Sequence, residues 1–157
     1  MGLRQPHRVL WVEPLLICGF GEVGSALARF ALGSGRHPHQ IIVIDQDPER
    51  ARRAGDCGYR AVASDPTSAP ALRAAGIGSA GRIIICLADD EAVAAVHAVR
   101  SLAPRASIQV VLRDRRLEGA AAKAGADLVL PLSKLAGTLL ADAALRSSEE
   151  ADVPASG

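Results

Sequence analysis

The sequence predicts an α/β fold, a doubly wound parallel sheet of six strands with helices on both faces, and three observations carry that prediction. Six short apolar runs alternate with segments of helical period between Leu15 and Arg146, the pattern of repeated βα units. Nearly half of the 157 residues are hydrophobic but only 3% are aromatic, so Ala, Val, Ile and Leu must fill the core, as in strands covered on both faces. The first run leads into closely spaced glycines and the second ends in an acid. Right-handed crossovers then give the strand order 3-2-1-4-5-6.

Leu15 to Cys18 reads as the first buried strand, followed by Gly19-Phe20-Gly21-Glu22-Val23-Gly24. Gly19 makes the tight turn, Gly21 lets a pyrophosphate approach the backbone, and Gly24 permits close helix–strand packing. The next helix carries Val23, Ala26, Leu27, Phe30 and Ala31 as one apolar stripe, and its N-terminus points its free N–H groups at the phosphates. Gly33 to His39 resets the chain, with His37 and His39 as solvated loop histidines. Ile41 to Ile44 is the second strand. It ends in Asp45, 21 residues after Gly24, where a carboxylate can accept the hydroxyls of an adenosine ribose. Gln46-Asp47-Pro48-Glu49 starts a helix that Gly55 ends; its Arg50, Arg52 and Arg53 read as a solvated face.

Tyr59 to Ala63 is the third strand and Ser64-Asp65-Pro66-Thr67 its C-terminal turn, with a helix through Leu72 to Gly76. Arg82 to Leu87 is the fourth. Ala88-Asp89-Asp90-Glu91 opens a long helix to Leu102, in which His97 sits among apolar neighbours. Ser107 to Leu112 is the fifth strand; Leu117, Ala120, Ala121 and Ala124 stripe the helix after it, and Leu128 to Leu130 is the sixth. Leu135, Leu139 and Leu140 lie on one face of a last helix, Ser133 to Arg146. The domain therefore spans residues 14–146. Residues 1–13 read as a linker or tail, with Trp11 against the domain edge, and 147–157 as a disordered tail.

A net charge of +1, with no aromatics among the arginines, excludes a nucleic-acid surface. The longest apolar run, Ile83 to Ala88, falls far short of the roughly 20 residues a bilayer requires, so no direct membrane insertion is expected. Three cysteines without metal spacing read as apolar fillers in a reducing compartment. Met1 to Pro14 lacks the pattern of a secretory signal, so the expected location is the cytoplasm.

In an open α/β sheet, ligands sit beyond the carboxyl ends of the strands. The candidates there are Gly19 to Gly24, Asp45 to Asp47, Asp65 to Thr67, Ala88 to Glu91, and Arg113 with Asp114, of which Asp45 with Gln46, Asp65 with Pro66, Ala88 with Asp89, and Arg113 are the expected ligand contacts beyond the glycine loop. Asp65 either meets an adenine amino group or holds an ordinary turn. Asp89 and Asp90 either face the ligand or cap their helix. Arg113 is positioned to clamp a phosphate. Catalytic machinery is not evident: Tyr59 has no lysine four residues later, and no Gly-x-Ser-x-Gly elbow occurs. The sequence reads as a binding domain rather than an enzyme. Two alternatives stand beside it: an NAD-dependent oxidoreductase domain lacking its catalytic half, and a scaffold that keeps the fold without a ligand.

The ordered set Leu15 to Gly24, Val43 to Arg50, Ser64 to Thr67, Leu72 to Ile77, Ile85 to Glu91 and Ala124 to Pro131 resembles the RCK domain, also called KTN or TrkA-N. This Rossmann-type domain regulates potassium channels, Trk/Ktr transporters and Kef-type efflux systems. The resemblance implies a sensor of NAD(H) or an adenine nucleotide that forms a homodimer or larger ring and acts on a membrane-embedded channel or transporter from the cytoplasmic face. By the same resemblance, Gly19, Gly21 and Gly24 form the phosphate loop, Asp45 is the ribose acid, and Asp65 and Arg113 follow strands three and five. The final helix would make subunit contacts through Leu135, Leu139 and Leu140, or pack on its own domain. Many relatives carry Arg where Glu22 stands; a carboxylate there repels phosphate and favours NAD(H), AMP or ADP over ATP. Relatives usually continue into a second ligand-binding domain, so the chain is expected to be a fragment of a larger protein or a separate subunit. Some relatives bind Ca²⁺ near the positions of Asp65 and Asp89 to Glu91, but spacing alone assigns no metal ligand here.

Overall fold

The computed structural model describes the backbone of residues 13–150 and the side chains of residues 13–142. Trp11 and most of the N-terminal tail, and residues 151–157, lie outside the described residues. The elements run β1 (Leu15–Cys18), α1 (Glu22–Gly33), β2 (Ile41–Asp45), α2 (Pro48–Asp56), β3 (Arg60–Ala63), α3 (Ala69–Ala74), β4 (Arg82–Ile85), α4 (Asp89–Leu102), β5 (Ser107–Leu112), α5 (Glu118–Ala124), β6 (Leu128–Pro131) and α6 (Leu132–Glu150). The six strands are parallel in the order β3-β2-β1-β4-β5-β6, the doubly wound topology expected from the sequence.

Alternation along the central strands builds two cores. Leu16, Ile42, Ile44, Ile83, Ile85 and Ile108 pack under α3, α4 and α5. Leu15, Ile17, Ile41 and Val43 face Ala28 and Ala54 of α1 and α2. Cys18 lies level with Ile44 on one side and Ile85 on the other, so the loops after β1, β2 and β4 emerge side by side. That alignment makes the crevice.

Several boundaries and faces differ from expectation. The face of α1 is rotated: Gly24 and Ala28 are buried, Ala26 is exposed, and Phe30 is 76% exposed. The smallest residues take the face nearest the sheet because they allow the closest approach. Helix α2 ends at Asp56 rather than Gly55, and β4 ends at Ile85, leaving Cys86 and Leu87 on the crevice rim. His97 is exposed. Helix α6 runs to Glu150, so the first part of the expected disordered tail is helical. Of its leucines, Leu139 and Leu140 are 69% and 71% exposed and Leu135 39%, while Leu132 at its start is half-buried. Among the described residues, no helix is long and apolar enough to cross a membrane.

One arginine pins the β5–β6 half. From α4, the Arg100 guanidinium donates to the carbonyls of Gly125, Pro104 and Ala106 and to Asp127 Oδ2, at 2.8–3.0 Å. Asp127 Oδ2 also accepts the Ile108 N–H at 2.7 Å. Gly125 ends α5 at φ +113°, and a Cβ there would stand 2.8 Å from Arg100 Cγ. The Ile108 N–H, with help from Arg100, holds the Asp127 carboxyl below its ordinary value. A carboxyl depressed by folding contributes stability above its unfolded pKa of about 3.9, and that contribution is lost as pH falls through the folded value. Asp127→Asn should therefore flatten the acid limb of the stability curve below about pH 4, as urea unfolding between pH 3 and 7 would show. An acid limb unchanged from the parent's would remove Asp127 from this role.

Candidate functional site

The loop after β1 is built from three glycines with three different surroundings. Gly19 sits at φ +94°, and a Cβ there would lie 2.5 Å from the Cys86 carbonyl oxygen, so only glycine fits against β4. Its N–H donates to the Ile44 carbonyl at 2.9 Å. At Gly24, a Cβ would lie 2.0 Å from the Gly19 carbonyl oxygen, the close approach expected of the third glycine. Gly21 differs: a Cβ there would meet only Arg50 Nη1, at 3.8 Å. Its outer side is open, as a backbone that receives a phosphate requires.

Gly21 is also the N-cap of α1, and no side chain caps that end. By contrast, Asp47 caps α2 by accepting the Glu49 N–H at 2.9 Å. The first-turn amides of α1 thus keep their capacity to bind an anion.

Asp45, 2% exposed, stands beneath the loop. Its Oδ2 accepts the Phe20 N–H at 2.6 Å and its Oδ1 the Asp47 N–H at 2.8 Å. The carboxylate therefore fastens the glycine loop to the end of β2. Each oxygen retains a lone pair for a hydroxyl donor.

A crevice of about 400 Å³ opens above these groups. Of the predicted residues, Gly19, Gly21, Glu22, Val23, Asp45, Gln46, Ala88 and Arg113 line it. The Arg113 guanidinium has no hydrogen-bond or ion-pair partner among the described residues, and its side chain projects into the crevice. Gln46 Nε2 donates to Glu91 Oε1 at 3.1 Å, a strap between the ends of β2 and β4 across the loop of β1. Cys86 contributes a thiol to the lining, and burial pushes its pKa up to about 11.

Other predicted residues are placed elsewhere. The Phe20 ring is buried edge-on against Tyr59, centroids 5.9 Å apart, and Gly24 lies beneath the loop. Asp65 accepts both the N–H and the hydroxyl of Thr67, at 2.8 and 2.7 Å, and with the buried Pro66 forms a turn outside the crevice lining. Asp89 does not cap α4, whose N-cap is Ala88. Its carboxylate instead accepts the N–H groups of Arg113 and Asp114, at 2.9 and 2.6 Å, which fixes the backbone from which Arg113 projects. Asp65 and Asp89 are thus each engaged locally, and among the described residues no three His, Cys, Asp or Glu side chains gather as a metal site would need.

Arg50 is the residue that the sequence reading missed. Expected on a solvated face, it lines the crevice beside Gly21 while its Nε stays 3.4 Å from Asp47 Oδ2. The only sequence signal is its place one turn after the capping Asp47. Arg50 and Arg113 set two cations against Glu22 and Glu91, so the rim is electrically mixed.

The model of the TrkA-N domain matches residues 15–131. Among solved structures, the fold is similar to the TrkA-N domain of the inner membrane protein ybaL from Escherichia coli, at 25% identity and a TM-score of 0.74, over 82% of this chain and 94% of that one. It is similar to the GsuK channel bound to NAD, at 25% identity and a TM-score of 0.72, over 82% of this chain but only 23% of that one. In fold it is also similar to the NAD(P)-binding domain of an exopolyphosphatase-related protein from Archaeoglobus fulgidus, at 20% identity and a TM-score of 0.76, over 85% and 98% of the two chains. With the matched segment running from β1 through β6, the chain belongs to the TrkA-N domain family.

Proposed function

We propose that this TrkA-N domain is a ligand-sensing regulatory domain that binds NAD(H) or an adenine nucleotide in the crevice and controls a potassium channel or transporter at the cytoplasmic face of a membrane. The observation that carries the reading is the uncapped N-terminus of α1 behind an open Gly21. The first-turn amides of α1, Arg50 and Arg113 would hold phosphate, and Asp45 the ribose hydroxyls. The NAD reported with the GsuK channel supports the same choice of ligand. Glu22 and Glu91 oppose a triphosphate, so NAD(H), AMP or ADP is expected to bind more tightly than ATP.

Among the described residues, the lining of the crevice holds no His, Lys or Tyr, and burial keeps the Cys86 thiol protonated at neutral pH.

Calorimetric titration with NAD⁺, NADH, AMP, ADP and ATP tests the proposal. No response to any of them from a folded chain would sink it. Gly21→Val should separate binding from folding. The open surroundings hold the stability cost to about 1 kcal/mol, the scale of a changed N-cap, while the added side chain should weaken nucleotide binding by roughly tenfold or more. Unaltered affinity would remove the loop from the site.

Regulation is proposed to run through α6. Its first residue, Leu132, lines the crevice, and Leu135, Leu139 and Leu140 stand exposed further along. A second copy would cover them, and a nucleotide with different affinity for two dimer arrangements would shift the balance between them. Sedimentation should find a dimer or larger ring that Leu139→Glu with Leu140→Glu dissociates. A monomeric parent chain would overturn this part.

A further inference from the structure

A second cavity, of about 450 Å³, lies on the other side of Gly21, in the groove between α1 and α2. Two facing helical stripes form its walls. Glu22, Ser25 and Arg29 recur at i, i+3, i+7 along α1, and Arg50 and Arg53 at i, i+3 along α2, spacings that place side chains on one helix face. Phe20 and Tyr59, packed edge to face, line the groove with them. Burial pushes the Tyr59 phenol up and the Cys57 thiol adds to the rise, while the nearby Arg29 guanidinium opposes it.

Charge decides what such a groove can hold. Three guanidinium groups line it against one carboxylate, Glu22. Arg50 is shared with Asp47, whereas the guanidinium groups of Arg29 and Arg53 make no hydrogen bond or ion pair among the described residues. Glu49, the acid nearest Arg53 on α2, is engaged mainly by Arg52. Converging guanidinium forks match the oxygens of a phosphoryl group, which can accept from several at once.

We infer that the α1–α2 groove is a second anion site, built for the phosphoryl groups of a small phosphorylated ligand through Arg29, Arg50 and Arg53. The site does not depend on a nucleotide in the crevice. Because Gly21, Glu22 and Arg50 line both cavities, occupancy of one changes the affinity of the other, and by linkage the effect is reciprocal.

Pyrophosphate is the probe, titrated into the full chain by calorimetry. Arg29→Ala with Arg53→Ala, at two exposed positions that leave the fold intact, should weaken pyrophosphate by roughly tenfold or more. Arg113→Ala, in the crevice alone, should leave it within about twofold. No saturable binding by the parent chain, or loss in the Arg113 variant with retention in the double variant, would overturn the proposal. A further arm titrates pyrophosphate in the presence of saturating NAD⁺. Simultaneous binding would identify a separate ligand; competition still sensitive to Arg29 and Arg53 would identify the phosphoryl groups as the nucleotide's own. If NAD⁺ does not bind at all, the crevice reading fails while the pyrophosphate arms still decide the groove.

Discussion

Gly24→Ala should lower the unfolding free energy of this domain by about 2–4 kcal/mol, while Gly33→Ala, the same change in the same helix, should raise it by about 0.5–1 kcal/mol. Alanine is the better helix former at both positions, so propensity alone predicts two gains. The surroundings separate them. A Cβ at Gly24 would stand 2.0 Å from the Gly19 carbonyl oxygen, a backbone atom in a loop fixed by β4, and nothing lies within 4 Å of one at Gly33. Relieving the clash means lifting α1 off the sheet and pulling Gly19 away from Ile44 and Cys86. The overpacking cost exceeds the propensity gain of about 1 kcal/mol severalfold. Thermal unfolding should show a fall of roughly 10 °C for the first variant and a small rise for the second. Equal midpoints would mean that α1 does not sit this close to β1.

That pair of glycines also marks how far the sequence could be read. The strand order, the tight turn at Gly19, the close packing at Gly24 and the position of Asp45 at the end of β2 follow from local rules about turns, apolar runs and crossovers, so each was legible. The rotation of α1 was not. Hydrophobic period placed Phe30 inward, but the close contact of Gly24 with the loop fixes the helix angle, and Gly24 and Ala28 take the inner face. Arg50 was missed for a related reason: Arg50, Arg52 and Arg53 look alike in sequence, and only the packing of α2 on β2 decides which reaches Gly21. Asp89 was read through its position at the head of α4, whereas its partners, the amides after β5, lie 24 and 25 residues away. Contacts of that range have no local signature.

Asp45→Ala is expected to damage fold and ligand binding together, with a stability loss of about 2–4 kcal/mol. Sequence alone made Asp45 a ribose acceptor, for which the change would cost only a bound ligand. The structure gives it a second task. Its two oxygens satisfy the N–H groups of Phe20 and Asp47 at a site 2% exposed. Alanine strands both amides and leaves the space of a carboxylate behind, and Asn is no remedy, since its NH₂ must face one of the two donors. The two roles can still be told apart. Measured by urea unfolding without nucleotide, the loss reports the fastening of the loop; the fall in affinity, measured on the fraction that remains folded, reports the ribose contact. Unchanged stability would show that the loop holds without Asp45, and unchanged affinity would take the carboxylate out of the site. If both fall, a ligand that draws on the Asp45 oxygens also acts on the group holding Phe20. Phe20 packs on Tyr59 beside the α1–α2 groove, so a change at the ribose acid would reach that groove through two side chains already in contact.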